Sequence, residues 1–137
     1  MNITVDDVRF LDLRTVVDSN GNLIPIESNQ DIPFEIKRVF YVYGVRDEER
    51  RGKHAHYNTQ QVLICLHGKV EVIVKDGLKE KRYLLESPQQ ALYIPEMIWD
   101  EQVYRSEETA LLVLSNTQYD PSDYIHNFES YKLMKAK

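Results

Sequence analysis

The chain has 137 residues, 17 of them basic and 22 acidic, and a formal charge of -5. With 42% hydrophobic and 28% charged residues it reads as one soluble globular domain over 1–137, long enough to bury a core without staples. The acidic balance, with no basic block, gives no reason to expect nucleic-acid binding, no apolar run nears the ~20 residues of a membrane span, and a lone cysteine, Cys65, excludes an intrachain disulfide.

Met1 to Phe10 carries Asp6 and Asp7 and no long apolar core, so no signal peptide is expected and the protein is placed in the cytoplasm. Val8 to Arg14 reads as extended. Asp18-Ser19-Asn20-Gly21-Asn22 is a hairpin turn signal. Leu23 to Glu27 reads as a short strand, at an edge because of Pro25, and Ser28 to Pro33 as a polar connection. Lys37 to Gly44 is the clearest strand; Val39, Tyr41 and Tyr43 share one face, and Arg38, Phe40 and Val42 the other. The charge run Arg46 to Arg51 reads as a solvated loop. Arg51 is the exception, because Gly52 lets the backbone approach a neighbour closely.

Further strands are expected at His54–Tyr57, Gln61–Leu66, Val70–Val74, Lys81–Leu85, Ala91–Pro95, Met97–Glu101 and Thr109–Ser115, separated by turns at Gly68, Asp76-Gly77 and Ser87-Pro88. The tail changes period. Asp120 is a candidate helix cap with Pro121 at the first position, and Tyr124, Phe128 and Tyr131 then make an apolar stripe. Many short strands closed by one C-terminal helix predict an all-β sandwich or barrel.

His54 and His56 lie one residue apart among only four histidines. On a strand they share a face, about 7 Å apart along it. That suits two metal ligands or an acid/base pair around one substrate. His67 and His126 fall in a predicted turn and the predicted tail helix and receive no role. The arrangement Gly-x-His-x-His followed by short strands is the outline of the cupin jelly roll. Metal-binding cupins add a glutamate soon after the pair and a later histidine. Here Tyr57, Asn58, Thr59, Gln60 and Gln61 follow, and Asp100 stands at the later position. Two histidines do not complete a zinc site, so no metal is expected and proton chemistry is favoured.

In order along the chain, Asp18-Ser19-x-Gly21-x-Leu23, Ile32-Pro33-Phe34-x-Ile36-Lys37-Arg38-Val39, Arg51-Gly52-x-His54-Ala55-His56, Gln61-Val62-Leu63-x-Cys65-Leu66-x-Gly68, Leu92-Tyr93, Trp99-x-Glu101 and Tyr119-Asp120-x-x-Asp123-Tyr124-Ile125 together resemble the nucleotide-sugar 3,4-ketoisomerases, the WxcM-like small cupins acting on dTDP-4-keto-6-deoxyglucose. The resemblance implies a metal-independent homodimer without cofactor that moves a keto group from C4 to C3 through an enediol, in deoxyaminosugar synthesis for a bacterial surface glycan. It implies His54 as the main base with His56 assisting. Arg51 and Arg38 would meet the diphosphate. Gln61, Tyr93, Trp99 and Asp100 would line the dTDP-sugar pocket. Two positions depart from the family. Its usual tyrosine after Arg-Val is Phe40, which exchanges no proton, and its usual histidine after the tryptophan is Asp100. Gly21 resembles the members with a galacto product. A cupin epimerase on the same class of sugar, a non-catalytic nucleotide-sugar-binding cupin and a metal cupin are the competing readings.

Overall fold

The computed structural model describes residues 2–137, so Met1 of the N-terminal segment lies outside the described residues. After a 3-10 turn at Val5–Asp7, capped by Thr4, the strands run β1 (Arg9–Asp12), β2 (Val16–Asp18), β3 (Gly21–Leu23), β4 (Arg38–Tyr43), β5 (Arg50–His56), β6 (Gln61–His67), β7 (Val70–Lys75), β8 (Glu80–Leu85), β9 (Gln90–Ile94), β10 (Trp99–Tyr104), β11 (Ala110–Ser115) and β12 (Tyr124–Ile125), and the chain ends in helix α1 (Phe128–Lys135). Two five-stranded antiparallel sheets face each other, ordered β1-β9-β6-β11-β4 and β12-β5-β10-β7-β8, with β2 and β3 forming a separate hairpin. This is the expected all-β jelly roll with a C-terminal helix.

The period of two explains the core. Leu63 and Cys65 of β6, Leu92 and Ile94 of β9, and Leu111 and Val113 of β11 meet Val70, Val72 and Val74 of β7 between the sheets. Val62, Ile64, Ala91 and Leu114 point outward, yet they too are buried. Residues 24–36 cover them with Ile24, Ile26, Ile32, Phe34 and Ile36. The expected strand at Leu23–Glu27 therefore ends at Leu23, and the expected polar connection carries buried Ile32. A continuous apolar strand needs cover on both faces, and this segment supplies it.

The tail also differs from expectation. Asp120 caps only the 3-10 turn Pro121–Asp123, and α1 begins later, with Asn127 as its cap accepting from the Ser130 N–H at 2.8 Å. The Asp123 carboxylate accepts the backbone N–H groups of Asn58 and Thr59. That ties residues 124–125 to the sheet as β12 before a helix can start. Trp99, Ile125 and Tyr131 then form a third cluster beneath α1.

Candidate active site

The pairing of β5 with β10 sets the site. Asp100 lies opposite His54, Glu101 opposite Gly52, and Gln102 opposite Arg51, so Lys53 is an extra residue in β5. Gly52 (φ 87°) and Lys53 (φ 58°) both have left-handed backbones. This is a β-bulge with glycine at its strained position. Its effect is specific. A regular strand would turn Arg51 away from His54. The bulge puts Arg51 opposite Gln102, on the same inward face as Asp100 and His54. A side chain at Gly52 would be tightly placed, since a Cβ there would sit 3.2 Å from Asp100 Oδ1.

His54 and His56 share the inner face of β5 as expected, with ring centroids 4.8 Å apart at 79°. His54 Nδ1 lies 3.1 Å from the Gly52 carbonyl oxygen. A carbonyl only accepts, so Nδ1 carries the hydrogen. In the neutral ring this leaves Nε2 as the free basic nitrogen. His56 is only 5% exposed and its Nε2 has no hydrogen-bond partner. Burial, and next the neighbouring His54, push its pKa down to about 4. It is neutral at pH 7.

A depressed imidazole links stability to pH. Below about 6.5 the unfolded chain protonates His56 while the folded chain does not. Its contribution is complete above that pH and is lost as the pH falls toward 4, by about 3 kcal/mol at most. Urea unfolding at pH 7 and 4.5 should show a loss that is reduced in His56→Asn. An equal loss in both proteins would remove His56 as its source.

Asp100 is 1% exposed, and burial raises its carboxyl above the usual range. Gln102 Nε2 donates to Asp100 Oδ1 at 3.4 Å, and the Tyr104 hydroxyl donates to Gln102 Oε1 at 3.1 Å. Burial holds the Tyr104 phenol up at about 12, so it remains a donor.

On the facing sheet Arg38, Ser115 and Gln61 lie in one row across β4, β11 and β6. Gln61 is buried, and Ser115, 1% exposed, has an Oγ with no partner. The Arg38 guanidinium lies 4.4 Å from the Phe40 ring centre and 4.9 Å from that of Tyr119. Phe40 packs against the inner core, and Tyr41 points to the opposite face, 66% exposed. The neighbouring tyrosine therefore does not replace the hydroxyl missing at Phe40.

Two expected pocket residues are placed elsewhere. Trp99 is 3% exposed, with its indole against Phe128 (5.1 Å) and Tyr131 (5.8 Å) and its Nε1 donating to Glu101 at 3.1 Å. It alternates with Asp100 and so faces the helix. Tyr93 alternates with inward Leu92 and Ile94, joins the outer cluster, lies under Arg9, and donates to Gln60 Oε1 at 3.0 Å.

Other residues arrive unannounced. The Tyr124 ring lies 5.0 Å from His54 and 4.5 Å from His56, and His126 stacks on Tyr124 at 5.5 Å, 6.2 Å from His54. His126 is outside the helix, between β12 and α1. The tyrosine belonged to a recognisable motif, but nothing local in the sequence tied His126 to a pair seventy residues earlier. Among the described residues no three or more His, Cys, Asp or Glu side chains are grouped to hold a metal ion. The arrangement is a basic imidazole, a neutral buried one, a buried carboxyl opposite the first, and arginines at the rim.

The family is decided by a match to FdtA, WxcM-like, C-terminal, over residues 6–136. The chain belongs to this family. It is 39% identical over 129 residues to a TDP-4-oxo-6-deoxy-alpha-D-glucose-3,4-oxoisomerase of Aneurinibacillus thermoaerophilus, covering 94% of this chain and 93% of that protein. It is 39% identical to the sugar 3,4-ketoisomerase QdtA of Thermoanaerobacterium thermosaccharolyticum, solved with TDP, with a TM-score of 0.92 over 95% of both chains. A variant of QdtA has been solved with TDP-4-keto-6-deoxyglucose. WlaRA of Campylobacter jejuni, a TDP-fucose-3,4-ketoisomerase, is 34% identical, with a TM-score of 0.90 over 94% of this chain and 96% of that one. The WxcM-like family match thus runs nearly end to end through this chain.

Proposed function

We propose that the chain, acting as one cupin domain, is a TDP-sugar 3,4-ketoisomerase whose substrate is TDP-4-keto-6-deoxyglucose. The observation that carries this reading is His54, whose Nδ1–H is held by the Gly52 carbonyl so that Nε2 is left free to act as a base. Two buried polar atoms that make no hydrogen bond within the described residues, His56 Nε2 and Ser115 Oγ, lie on the inner faces of the two sheets and suit a polar ligand.

The chemistry needs one base and one carrier of protons between oxygens. His54 takes the proton from C3, and the electron pair of that bond becomes the C3–C4 double bond of an enediol. O4 takes a proton from the Asp100 carboxyl, whose pKa burial raises. In the second half the O3 proton returns to Asp100, the C3 carbonyl forms, and C4 takes a proton from His54, whose acquired proton exchanges with solvent while the enediol is held. Asp100 thereby supplies the exchange that Phe40 cannot. His56, neutral and buried, orients the sugar. Arg51 and Arg38 offer guanidinium forks to the diphosphate, and Gln61 contacts the sugar. The residues require no metal and no cofactor for these steps.

The Gly21 turn supports a galacto configuration at C4. Val39, Tyr41 and Tyr43 are exposed on β4, an edge strand, and this open apolar edge supports a homodimer. A monomer at micromolar concentration in sedimentation equilibrium would overturn that assignment. We place the reaction in the cytoplasm, upstream of an aminotransferase that takes a 3-keto sugar for a bacterial surface glycan. Retention of a tagged protein outside the cytosolic fraction would contradict this.

The test is product NMR after incubation with TDP-4-keto-6-deoxyglucose in D2O containing chelator. The expected result is a 3-keto product with deuterium at C4, its ring couplings giving the configuration. A product with the carbonyl still at C4 and deuterium at C3 or C5 would make it an epimerase. No turnover, with binding of TDP retained, would make it a binding module.

A further inference from the structure

β10 carries three polar side chains in succession on its inward face, Asp100, Gln102 and Tyr104. Their partners on β7 are Val74, Val72 and Val70. Those valines offer no hydrogen bonds. On the other side β5 places His54 opposite Asp100 and Arg51 opposite Gln102. A barrel interior is stabilised most simply by apolar residues, and burying polar groups costs free energy unless each finds a partner. This string satisfies itself in one direction. The Tyr104 hydroxyl donates to Gln102 Oε1, which turns the amide nitrogen toward Asp100, and that nitrogen donates to Asp100 Oδ1.

The direction has a chemical consequence. A carboxyl oxygen that accepts from an amide is disfavoured as the site of the proton. We propose that Gln102 and Tyr104 are positioning residues that occupy Oδ1 of Asp100 and so present its proton on Oδ2 to the sugar oxygens beside His54. This rests on the isomerase reading and deepens it. Asp100 is the group that touches substrate, and Gln102 acts only through it. The proton leaves Oδ2 for O4 as the enediol forms and returns to Oδ2 from O3 as the C3 carbonyl forms. The string is unchanged at the end of each turnover.

The experiment measures kcat and KM with TDP-4-keto-6-deoxyglucose for Gln102→Leu, Tyr104→Phe and Asp100→Asn, and for Gln102→Leu combined with each of the others. Gln102→Leu should lower kcat by about 10- to 100-fold with KM changed less than about twofold, since binding groups are untouched. Tyr104→Phe, which deletes one buried hydroxyl, should lower kcat several-fold. In the Asp100→Asn background Gln102→Leu should cost nothing more, and in the Gln102→Leu background Tyr104→Phe should cost nothing more, because the string acts as a unit. Full kcat in Gln102→Leu would overturn the proposal. So would the same fold-loss from Gln102→Leu with and without Asp100, which is what mere loosening of the barrel predicts. A wild-type protein that leaves this sugar unconverted would overturn the isomerase reading itself, and that result is distinct from both.

Discussion

His54→Asn should abolish nearly all turnover, with a fall in kcat of about 10³-fold or more, while the protein still folds and still binds TDP. His54 has a defined free ring nitrogen, because its Nδ1–H is committed to the Gly52 carbonyl. Asparagine keeps a side-chain amide able to donate toward that carbonyl, so the bulge and the strand register should persist. It has no nitrogen able to take a proton from carbon at neutral pH. His56 is a poor replacement. Its pKa of about 4 makes it a much weaker base. Washout of deuterium at C3 is the direct readout, and it should disappear with kcat. Added TDP should raise the melting temperature of the variant as it does that of the parent. Exchange at C3 continuing at the parental rate would transfer the role of base away from His54.

Asp123→Asn should be the most damaging of the conservative changes to stability. The carboxylate accepts from the Asn58 N–H (2.9 Å), the Asn58 side-chain amide (3.1 Å), the Thr59 N–H (3.1 Å) and the Thr59 hydroxyl. Four donors converge on an acceptor-only group that is largely buried. Asparagine would aim an amide N–H at one pair of those donors. The expected loss is about 2–4 kcal/mol, which lowers the melting temperature by about 10 °C in a chain of this size. Activity should suffer as well, because Asp123 precedes Tyr124, whose ring lies over both imidazoles. Asp120→Asn is the control. Its carboxylate is exposed and accepts only from Ser122, so the loss should stay below about 1 kcal/mol. An Asp123→Asn melting curve matching that of the control would refute the argument.

The second expectation depends on contacts between distant parts of the chain, which no local reading of the sequence contains. The tail shows it. Asp120-Pro121 carries a sound helix-start signal, and locally it does begin a turn. The helix waits until Phe128 because Asp123 is held by Asn58 and Thr59, a competition no local rule contains. Trp99 is similar. A tryptophan next to a site residue suggests a pocket wall, but alternation along β10 sends it outward, where α1 packs on it. Tyr93 follows the same parity rule on β9.

What the sequence determined by itself was whatever depends on near neighbours. The strands, the shared face of His54 and His56, and the opposed faces of Phe40 and Tyr41 all follow from a backbone that repeats every two residues. The lack of a carboxylate after His56 was also plain from adjacent positions. Only the tertiary structure decided that Arg51 joins that face, because the bulge exists through pairing with Asp100 and Glu101. It also decided that Gln102 and Tyr104 stand behind Asp100, and that Tyr124 and His126 reach the histidines through β12. Period is a property of one strand. Register and cover belong to strands in pairs and layers, so they form only when the chain closes on itself.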